Sequence, residues 1–290
     1  MSETRCVWKA EAKLGEGPVW HAGERALYFV DIERPAILRF AIEDGRTDEY
    51  LMPEKIGCIA FRERGGLVAG CKSGFAFVDL ERRETTPIAD PEADLPGNRF
   101  NDGKCDARGR FWAGTMDAAC RQPTGVLYRL DPDRTVHRMD DGYVITNGPA
   151  WSPDGRTLYH NDTMQRTVFA FDCDPSTGSI DNKRVFVRIP DADGYPDGMS
   201  VDSDGGLWLA HWGGSRVTRF TPKGRVDRVV RLPASQVTSC TFGGSELRTL
   251  YITTARIGLD AATLLDEPLA GGLFAVDVDI PGLPAHRFGG

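Results

Sequence analysis

The hydrophobic and polar positions of this chain alternate in short runs separated by polar turns that contain glycine. Alternation with a period of two predicts β-strands, and no window shows an apolar period of 3.6 residues with helix caps over three turns. Apolar strand cores recur in six places, at Leu27, Leu67, Phe111, Leu158, Leu207 and Leu250. Spacings of about 40 to 50 residues are typical of a four-stranded propeller blade. The sequence therefore predicts an all-β fold, a six-bladed β-propeller.

The two ends of the chain complete this pattern. Most repeats carry a further outer strand, but none follows the sixth repeat, and the chain instead begins with an apolar segment from Cys6 to Ala10. We expect this N-terminal strand to join the last blade, because pairing the first and last segments closes the ring and leaves no open strand edge there. Since the repeat is uninterrupted, we expect residues 1–290 to form a single domain.

Composition and charge exclude several classes of function. The 290 residues carry a formal net charge of -7 without clusters of Lys and Arg, which argues against a nucleic-acid partner. No apolar stretch approaches the roughly 18 residues needed to span a bilayer, and no basic and apolar leader begins the chain. We expect a cytoplasmic monomer that binds no membrane. Seven cysteines without a CxxC motif favour reduced thiols, with a Cys105–Cys120 disulfide as the alternative.

The repeat also identifies equivalent positions in successive blades. The residue five positions before each inner turn carries a side-chain oxygen in four repeats, at Glu16, Asn101, Asn147 and Asp197. The second repeat has Gly57 there, and the sixth has Ser239 or Cys240. Equivalent positions are related by rotation about the propeller axis, so we expect these side chains to form a ring facing the central channel. Asn-Gly and Asp-Gly are ordinary turn sequences, but Glu16 is not a turn residue, which favours a site.

Two carboxylates and two amides that converge in a channel favour a bound cation, because the carboxylates would otherwise repel one another. All-oxygen ligands suit Ca²⁺, Mg²⁺ or Mn²⁺, with iron and Zn²⁺ as alternatives. We expect one divalent metal ion with coordination positions open for catalysis. Two positions before ring members lie Arg99, suited to a carboxylate or hydroxyl-rich substrate, and Tyr195, which could pack against a sugar. The alternatives are a surface arginine and an ordinary loop aromatic.

Several motifs together resemble those of the gluconolactonase and senescence-marker-protein (regucalcin) family of six-bladed propellers. They are residues 14–18 (LGEGP), 99–103 (RFNDG), 114–116 (GTM), 147–149 (NGP), 152–155 (SPDG) and 195–198 (YPDG). The resemblance covers nearly the whole chain. It implies a divalent metal held by Glu16, Asn147 and Asp197, substrate contacts from Arg99 and Asn101, and Asp197 as the catalytic acid and base.

One loop departs from the vertebrate members of that family. After the GTM motif, where those members have acidic residues, this chain continues Asp117-Ala118-Ala119-Cys120, which places Ala119 at a sugar-contacting position. The chain therefore resembles the microbial aldonolactonases, including xylonolactonase-like members, more than the vertebrate proteins.

The function that the resemblance implies is hydrolysis of a sugar-acid lactone, of the gluconolactone or xylonolactone type, to the aldonic acid. The ion would polarise the ester carbonyl, and the base would be either Asp197 or a hydroxide bound to the ion. Two alternatives share the architecture. One is a phosphotriesterase of the diisopropylfluorophosphatase type, and the other is a non-catalytic calcium-binding propeller whose ring is structural.

Overall fold

The computed structural model describes residues 3–290. Its strands form six antiparallel sheets of four strands each, arranged as the blades of a propeller. This confirms the predicted all-β, six-bladed architecture. Each sheet begins with a strand that lines the central channel and ends with a strand at the outer rim.

The strands follow one another blade by blade. The first, β1 (Arg5–Trp8), belongs to the last blade. Blade 1 contains β2 (Gly15–His21), β3 (Ala26–Asp31), β4 (Ala36–Ala41) and β5 (Thr47–Leu51). Blade 2 contains β6 (Ile56–Phe61), β7 (Leu67–Cys71), β8 (Gly74–Asp79) and β9 (Glu84–Ala89). Blade 3 contains β10 (Asn98–Cys105), β11 (Phe111–Asp117), β12 (Gly125–Leu130) and β13 (Val136–Tyr143).

The second half of the chain repeats the arrangement. Blade 4 contains β14 (Thr146–Trp151), β15 (Thr157–Asp162), β16 (Thr167–Cys173) and β17 (Ile180–Arg188). Blade 5 contains β18 (Tyr195–Val201), β19 (Leu207–Trp212), β20 (Arg216–Phe220) and β21 (Val226–Arg231). Blade 6 contains β22 (Val237–Gly243), β23 (Thr249–Thr254) and β24 (Leu273–Asp277). A single 3₁₀ turn (Asp191–Asp193) and a six-residue helix, α1 (Ala261–Asp266), are the helical elements of residues 3–290.

The N-terminal strand closes the ring as predicted. β1 pairs antiparallel with β24, with Arg5 opposite Ala275 and Cys6 opposite Phe274. It supplies the outermost strand of blade 6, and it ends at Trp8 rather than at Ala10. The first and last strands of the chain, β1 and β24, therefore belong to the same sheet.

Aromatic side chains pack one blade against the next. The ring of Phe75 in blade 2 lies 4.3 Å from that of Phe100 and 5.9 Å from that of Phe111, both in blade 3. Trp112 of blade 3 lies 5.9 Å from Trp151 of blade 4 in an edge-to-face arrangement. Burial of such large apolar surfaces stabilises the fold and fixes the inner strands relative to one another.

The C-terminal segment after β24 crosses the far end of the channel. The Gly282 amide donates to the Leu247 carbonyl beside blade 6, and the Phe288 amide donates to the Phe61 carbonyl of blade 2. The Phe288 side chain is fully buried. The Gly289 amide donates to the Gly109 carbonyl of blade 3, so the segment joins blades 6 and 3 on opposite sides of the ring and covers one mouth of the channel.

The remaining expectations concern helices and thiols. No helix within residues 3–290 has the length and apolar character needed to cross a bilayer. All seven cysteines are free thiols. Cys105 is buried and Cys120 is exposed, so the alternative of a disulfide between them is wrong.

Candidate metal and active site

Four polar side chains lie at equivalent points near the start of inner strands. They are Glu16 in β2, Asn101 in β10, Asn147 in β14 and Asp197 in β18. All four are buried, and the two carboxylates are only 5 % and 4 % exposed. Each inner strand contains a β-bulge at this level, between Glu16 and Val19 in β2 and between Pro196 and Met199 in β18. The predicted positions thus occur at one end of the channel.

The other two ring positions carry no charged group. At Gly57 an added Cβ would lie 2.4 Å from the Phe100 carbonyl oxygen, so the close approach of β10 leaves room only for glycine. In blade 6 the expected residue was Ser239 or Cys240. Ser239 pairs with Thr253, three residues after the strand-core residue Leu250, and Glu16 likewise pairs with Val30, three residues after Leu27. Of the two candidates, Ser239 therefore matches the ring register, and the bulge in β22 leaves Thr238 unpaired directly before it.

Thr238 lies beside the ring and holds the backbone there, but it is not one of the ring residues that carry side-chain oxygen. The Thr238 hydroxyl donates to the Gly15 carbonyl at 2.5 Å, directly before Glu16. This contact fixes β22 of blade 6 to β2 of blade 1 at the level of the ring. Thr238 therefore acts on the backbone that positions Glu16.

Asn147 is oriented by a short hydrogen-bond chain. Its Nδ2 donates to the Thr163 hydroxyl at 2.9 Å, and that hydroxyl donates to the Pro196 carbonyl at 2.9 Å. The amide oxygen Oδ1 accepts from Asn101 Nδ2 at 3.0 Å. Since its amide nitrogen is held by Thr163, Asn147 presents its oxygen to the ring, which is the orientation a metal ligand requires.

Arg99 and Asn101 form a connected pair. Arg99 Nη1 donates to Asn101 Oδ1 at 2.7 Å and to the Phe100 carbonyl at 3.0 Å. Arg99 is only 9 % exposed and lies within β10, so the alternative of a surface arginine in a loop is wrong. Within residues 3–290 no carboxylate pairs with it inside 4.0 Å, and its Nε and Nη2 make no hydrogen bond. These donors are available to a ligand.

Tyr195 lies in the wall beside the ring rather than in it. It begins β18, two residues before Asp197, and is half-buried. The guanidinium of Arg166 stacks over its ring at 3.6 Å, and Arg166 also pairs with Asp191 at 3.2 Å. The structure therefore gives Tyr195 a packing partner, and no hydrogen bond within residues 3–290 joins it to the ring.

The electrostatics of the ring are unusual for a protein interior. Burial, together with the nearby Asp102 carboxylate, raises the pKa of Glu16 to about 8. Burial and then the Glu16 carboxylate raise the pKa of Asp197 well above its ordinary value. Burial likewise raises the pKa of Asp102. Three carboxyl groups share a region in which none has a cationic partner within 4.0 Å among the described residues, so their ionised forms are poorly compensated.

A divalent cation fits this donor set. Glu16 and Asp197 supply charged oxygens, and Asn147 supplies a neutral oxygen that is already turned toward the ring. Residues 3–290 contain no cluster of three His, Cys, Asp or Glu side chains placed to hold a metal. The ring differs from such a cluster because its third donor is an amide. Hard divalent ions accept mixed carboxylate and amide ligands of this kind.

Sequence analysis missed Asp102 and Lys104. Asp102 Oδ1 accepts from the Gly103 amide at 2.7 Å, and its Oδ2 accepts from the Gly148 amide at 3.0 Å. Lys104 Nζ donates to the Met199 carbonyl and, at 3.2 Å, to the Ser200 hydroxyl. The sequence contained a signal for Asp102, because the residue directly after the ring position is glycine in blades 1, 4 and 5 but aspartate in blade 3.

The loop that departs from the vertebrate pattern is ordered by its own aspartate. The Asp117 carboxylate accepts from the backbone amides of Ala119 at 3.1 Å and of Arg121 and Gln122, both at 3.0 Å. Ala119 and Cys120 are exposed, and Ala119 brings no polar side chain. Position 119 therefore offers no acidic group to a ligand.

A cavity lies at the opposite end of the channel. Its volume is about 390 Å³, and its walls include Pro18, Lys104, Ser200 and the covering segment Leu283 to His286. None of the ring residues lines it. The covered end and the ring end of the channel are therefore separate environments, with Lys104 between them.

Comparison with known proteins agrees with this architecture. Residues 14–256 match the model of the family described as the SMP-30/Gluconolactonase/LRE-like region. The chain is 38% identical to regucalcin of Danio rerio over 292 residues, covering 99% of both chains. It is 37% identical to the 6-deoxy-6-sulfogluconolactonase of Pseudomonas putida over 293 residues, covering 100% of both.

A solved structure shows the same fold. The crystal structure of a calcium-binding protein, regucalcin, from Agrobacterium tumefaciens superimposes with a TM-score of 0.94 at 26% identity, covering 99% of each chain. The six blades, the strand that closes the ring and the match over residues 14–256 agree. The chain belongs to the SMP-30/gluconolactonase/LRE-like family.

Proposed function

We propose that this protein hydrolyses the lactone of a sugar acid to the aldonic acid, with a divalent metal ion as cofactor. The observation that carries the proposal is the ring of buried, poorly compensated carboxyl groups beside a buried arginine with free donors. Family membership and the lactonase named among the relatives support the same reaction class.

Glu16, Asn147 and Asp197 would hold the ion. When bound, a divalent ion would polarise the ester carbonyl and stabilise the negative charge that develops on its oxygen. Thr163 keeps the Asn147 oxygen directed at the ring, and the Gly17 amide donates to Glu16 Oε2 at 3.0 Å. These contacts hold the donor atoms before any ligand arrives, which lowers the cost of binding.

Arg99 and Asn101 would bind and orient the sugar. The free Nε and Nη2 of Arg99 match the hydroxyl oxygens of a lactone and the carboxylate of its product. Because Arg99 Nη1 is fixed on Asn101 Oδ1 at 2.7 Å, the guanidinium has a defined plane before substrate binds. A preorganised donor gives more orientation than a mobile surface arginine would.

Asp197 would move the proton. Water adds to the carbonyl carbon, the bond from that carbon to the ring oxygen breaks, and the ring oxygen leaves as a hydroxyl group. A carboxylate oxygen of Asp197 takes the proton from water and returns it to the ring oxygen. Burial raises the pKa of Asp197, which favours proton uptake, whereas a bound cation opposes it.

The proposal is tested by lactone turnover. We expect the metal-loaded protein to hydrolyse gluconolactone or xylonolactone in a pH-indicator assay, and a chelated sample to lose that activity until metal is restored. Asp197→Asn should lower kcat/KM by about 10³-fold. The matched control is Asp204→Asn, an exposed turn aspartate of the same blade, which should keep full activity.

Two results would contradict the proposal. Unchanged lactone hydrolysis after complete removal of metal would exclude the metal-dependent reaction. Tight metal retention without turnover of any lactone in a panel would identify a structural metal site instead. Paraoxon is the comparison substrate for the organophosphatase alternative, and we expect it to be turned over far more slowly than the lactones.

A further inference from the structure

Lys104 occupies a position in the channel that packing alone does not explain. It belongs to β10 of blade 3, yet its ammonium donates to the Met199 carbonyl and the Ser200 hydroxyl of β18 in blade 5. Blade 4 lies between these two blades around the ring. Lys104 therefore reaches across the channel.

The strand that Lys104 contacts is the strand that carries Asp197. Met199 and Ser200 follow Asp197 by two and three residues in β18. The Ser200 hydroxyl then donates to the Cys240 carbonyl of blade 6 at 2.7 Å. A continuous chain of hydrogen bonds runs from Lys104 through Ser200 to Cys240, directly below the ring.

The Lys104 ammonium is hydrogen-bonded but forms no ion pair within residues 3–290. Among the described residues no carboxylate oxygen lies within 4.0 Å of its Nζ, and both of its acceptors are neutral. Burial raises the pKa of the Asp102 carboxyl, and the Lys104 ammonium lowers it. The ammonium thus acts on the carboxyl groups of the channel through space.

The charges in this part of the channel can be compared directly. Glu16, Asp102 and Asp197 are three acidic groups, and Arg99 and Lys104 are two basic groups. With all five ionised, the protein alone carries one net negative charge there, and a divalent ion converts it to one net positive charge. Without Lys104 the loaded site would be neutral.

We propose that Lys104 sets the charge of the metal site, so that the loaded ring keeps one positive charge for the oxyanion that forms on the lactone. This inference rests on the proposed function. Asp102 is the opposing group, since it adds a negative charge and fixes the Gly148 amide beside Asn147. Lys104 is a positioning and charge-balancing residue and does not touch the substrate.

The proposal predicts opposite changes in metal binding and turnover. Removing the Lys104 charge makes the empty ring more negative, so it should bind a divalent cation more tightly. The loaded ring then lacks the excess positive charge, so kcat should fall. A lysine that merely anchored β18 would weaken metal binding and turnover together.

The experiment is a calorimetric titration of the metal-free protein with Ca²⁺, with gluconolactone turnover measured at saturating Ca²⁺. We expect Lys104→Gln, which keeps a donor but loses the charge, to bind Ca²⁺ about tenfold more tightly and to lose about tenfold in kcat. Lys104→Arg should stay near the parent protein in both. Lys223→Gln, a remote exposed lysine, is the matched control for lost charge.

Asp102→Asn provides an independent measurement if the lysine variants fold poorly. It removes a negative charge, so Ca²⁺ should bind about tenfold more weakly. Equal or weaker Ca²⁺ binding by folded Lys104→Gln, or unchanged binding by Asp102→Asn, would overturn the inference while leaving the lactonase proposal intact. Failure of the parent protein both to bind divalent metal and to hydrolyse lactones would instead remove the proposed function, and this inference with it.

Discussion

Blade 5 has a buried aspartate near each end of its inner strand, and the two carboxylates have different surroundings. Asp202, at the covered end, is 0 % exposed and accepts from the amides of Asp204 and Gly206, from Trp208 Nε1 at 2.7 Å and from Arg219 Nε at 2.7 Å. Asp197, at the ring end, is 4 % exposed, and no side-chain donor reaches its carboxylate among the described residues. Burial alone therefore does not distinguish a carboxylate that stabilises the fold from one that belongs to the candidate site.

Blade 3 repeats the same contrast. At the covered end, Asp106 accepts from Arg110 Nε at 2.6 Å and from Trp112 Nε1 at 2.9 Å. At the ring end, the hydrogen-bond donors to Asp102 among the described residues are all backbone amides. A buried carboxylate with a full set of side-chain donors stabilises the fold, whereas one without them is a candidate for binding a charged ligand.

The largest expected effects come from mutating the two buried aspartates of blade 5, one at each end of the channel. Asp202→Asn should lower the free energy of unfolding by about 3 kcal/mol, because it removes the buried counterion of Arg219 and leaves that guanidinium, among the described residues, only the less buried Asp227 carboxylate. Activity per folded molecule should persist. Asp197→Asn should show the reverse, with turnover lost and stability kept. Chemical denaturation and lactone assays on both variants check this, and equal loss of stability in the two would break the comparison.

Removing the metal should make the stability of the protein depend on pH through the carboxyl groups of the ring. In metal-free protein the pKa of Glu16 is about 8, above its unfolded value, so the folded state holds a proton that the unfolded state has already lost. Stability should fall by roughly 4 kcal/mol as pH rises from about 5 to 8, and saturating divalent metal should remove this slope.

Glu16→Gln is the control for that titration. The variant has no carboxyl group at position 16, so its metal-free stability should lose the part of the slope that Glu16 contributes and keep the part from Asp197 and Asp102, whose pKa values burial also raises. Denaturant unfolding at several pH values gives the slope. A parent protein whose stability is flat or rising with pH in the metal-free state would contradict the assignment of a poorly compensated ring.

Arg99→Gln should have a smaller, purely functional effect. The variant loses the free donors while keeping an amide near Asn101, so we expect KM to rise and kcat/KM to fall by about 30-fold. Stability should change little, since no carboxylate pairs with Arg99 within 4.0 Å among the described residues. A large stability loss with normal KM would place Arg99 with the structural groups of the covered end.

Tyr195→Phe should produce the smallest change. The phenyl ring keeps the stacking with Arg166 at 3.6 Å, so we expect less than about a threefold change in KM. Tyr195→Ala, which removes the stacked ring, should have a larger effect. If Tyr195→Phe already raises KM tenfold, the hydroxyl binds substrate directly and Tyr195 belongs to the sugar-binding groups.

Much of this molecule could be predicted because its signals are local. Alternation along the chain and the spacing of turns identified the blades, and the repeat register selected Glu16, Asn101, Asn147 and Asp197. In blade 6 the pattern left the register open between Ser239 and Cys240, and the pairing of β22 with β23 selects Ser239. The outer strand of blade 2, β9, also gave no clear pattern, because it is mostly exposed and contains Pro87.

The sequence by itself determined the propeller, its closure by the N-terminal strand and the equivalence of the ring positions, since each depends on order and spacing along the chain. Only the tertiary structure decided which buried carboxylates lack side-chain donors, that Arg99 is buried, and that Lys104 reaches Ser200 across the channel. Asp197-Gly198 and the Asp202 turn look alike in sequence. Their difference arises from contacts between distant segments, because the hydrogen bonds and charges around a buried group are supplied by neighbours that only folding brings together.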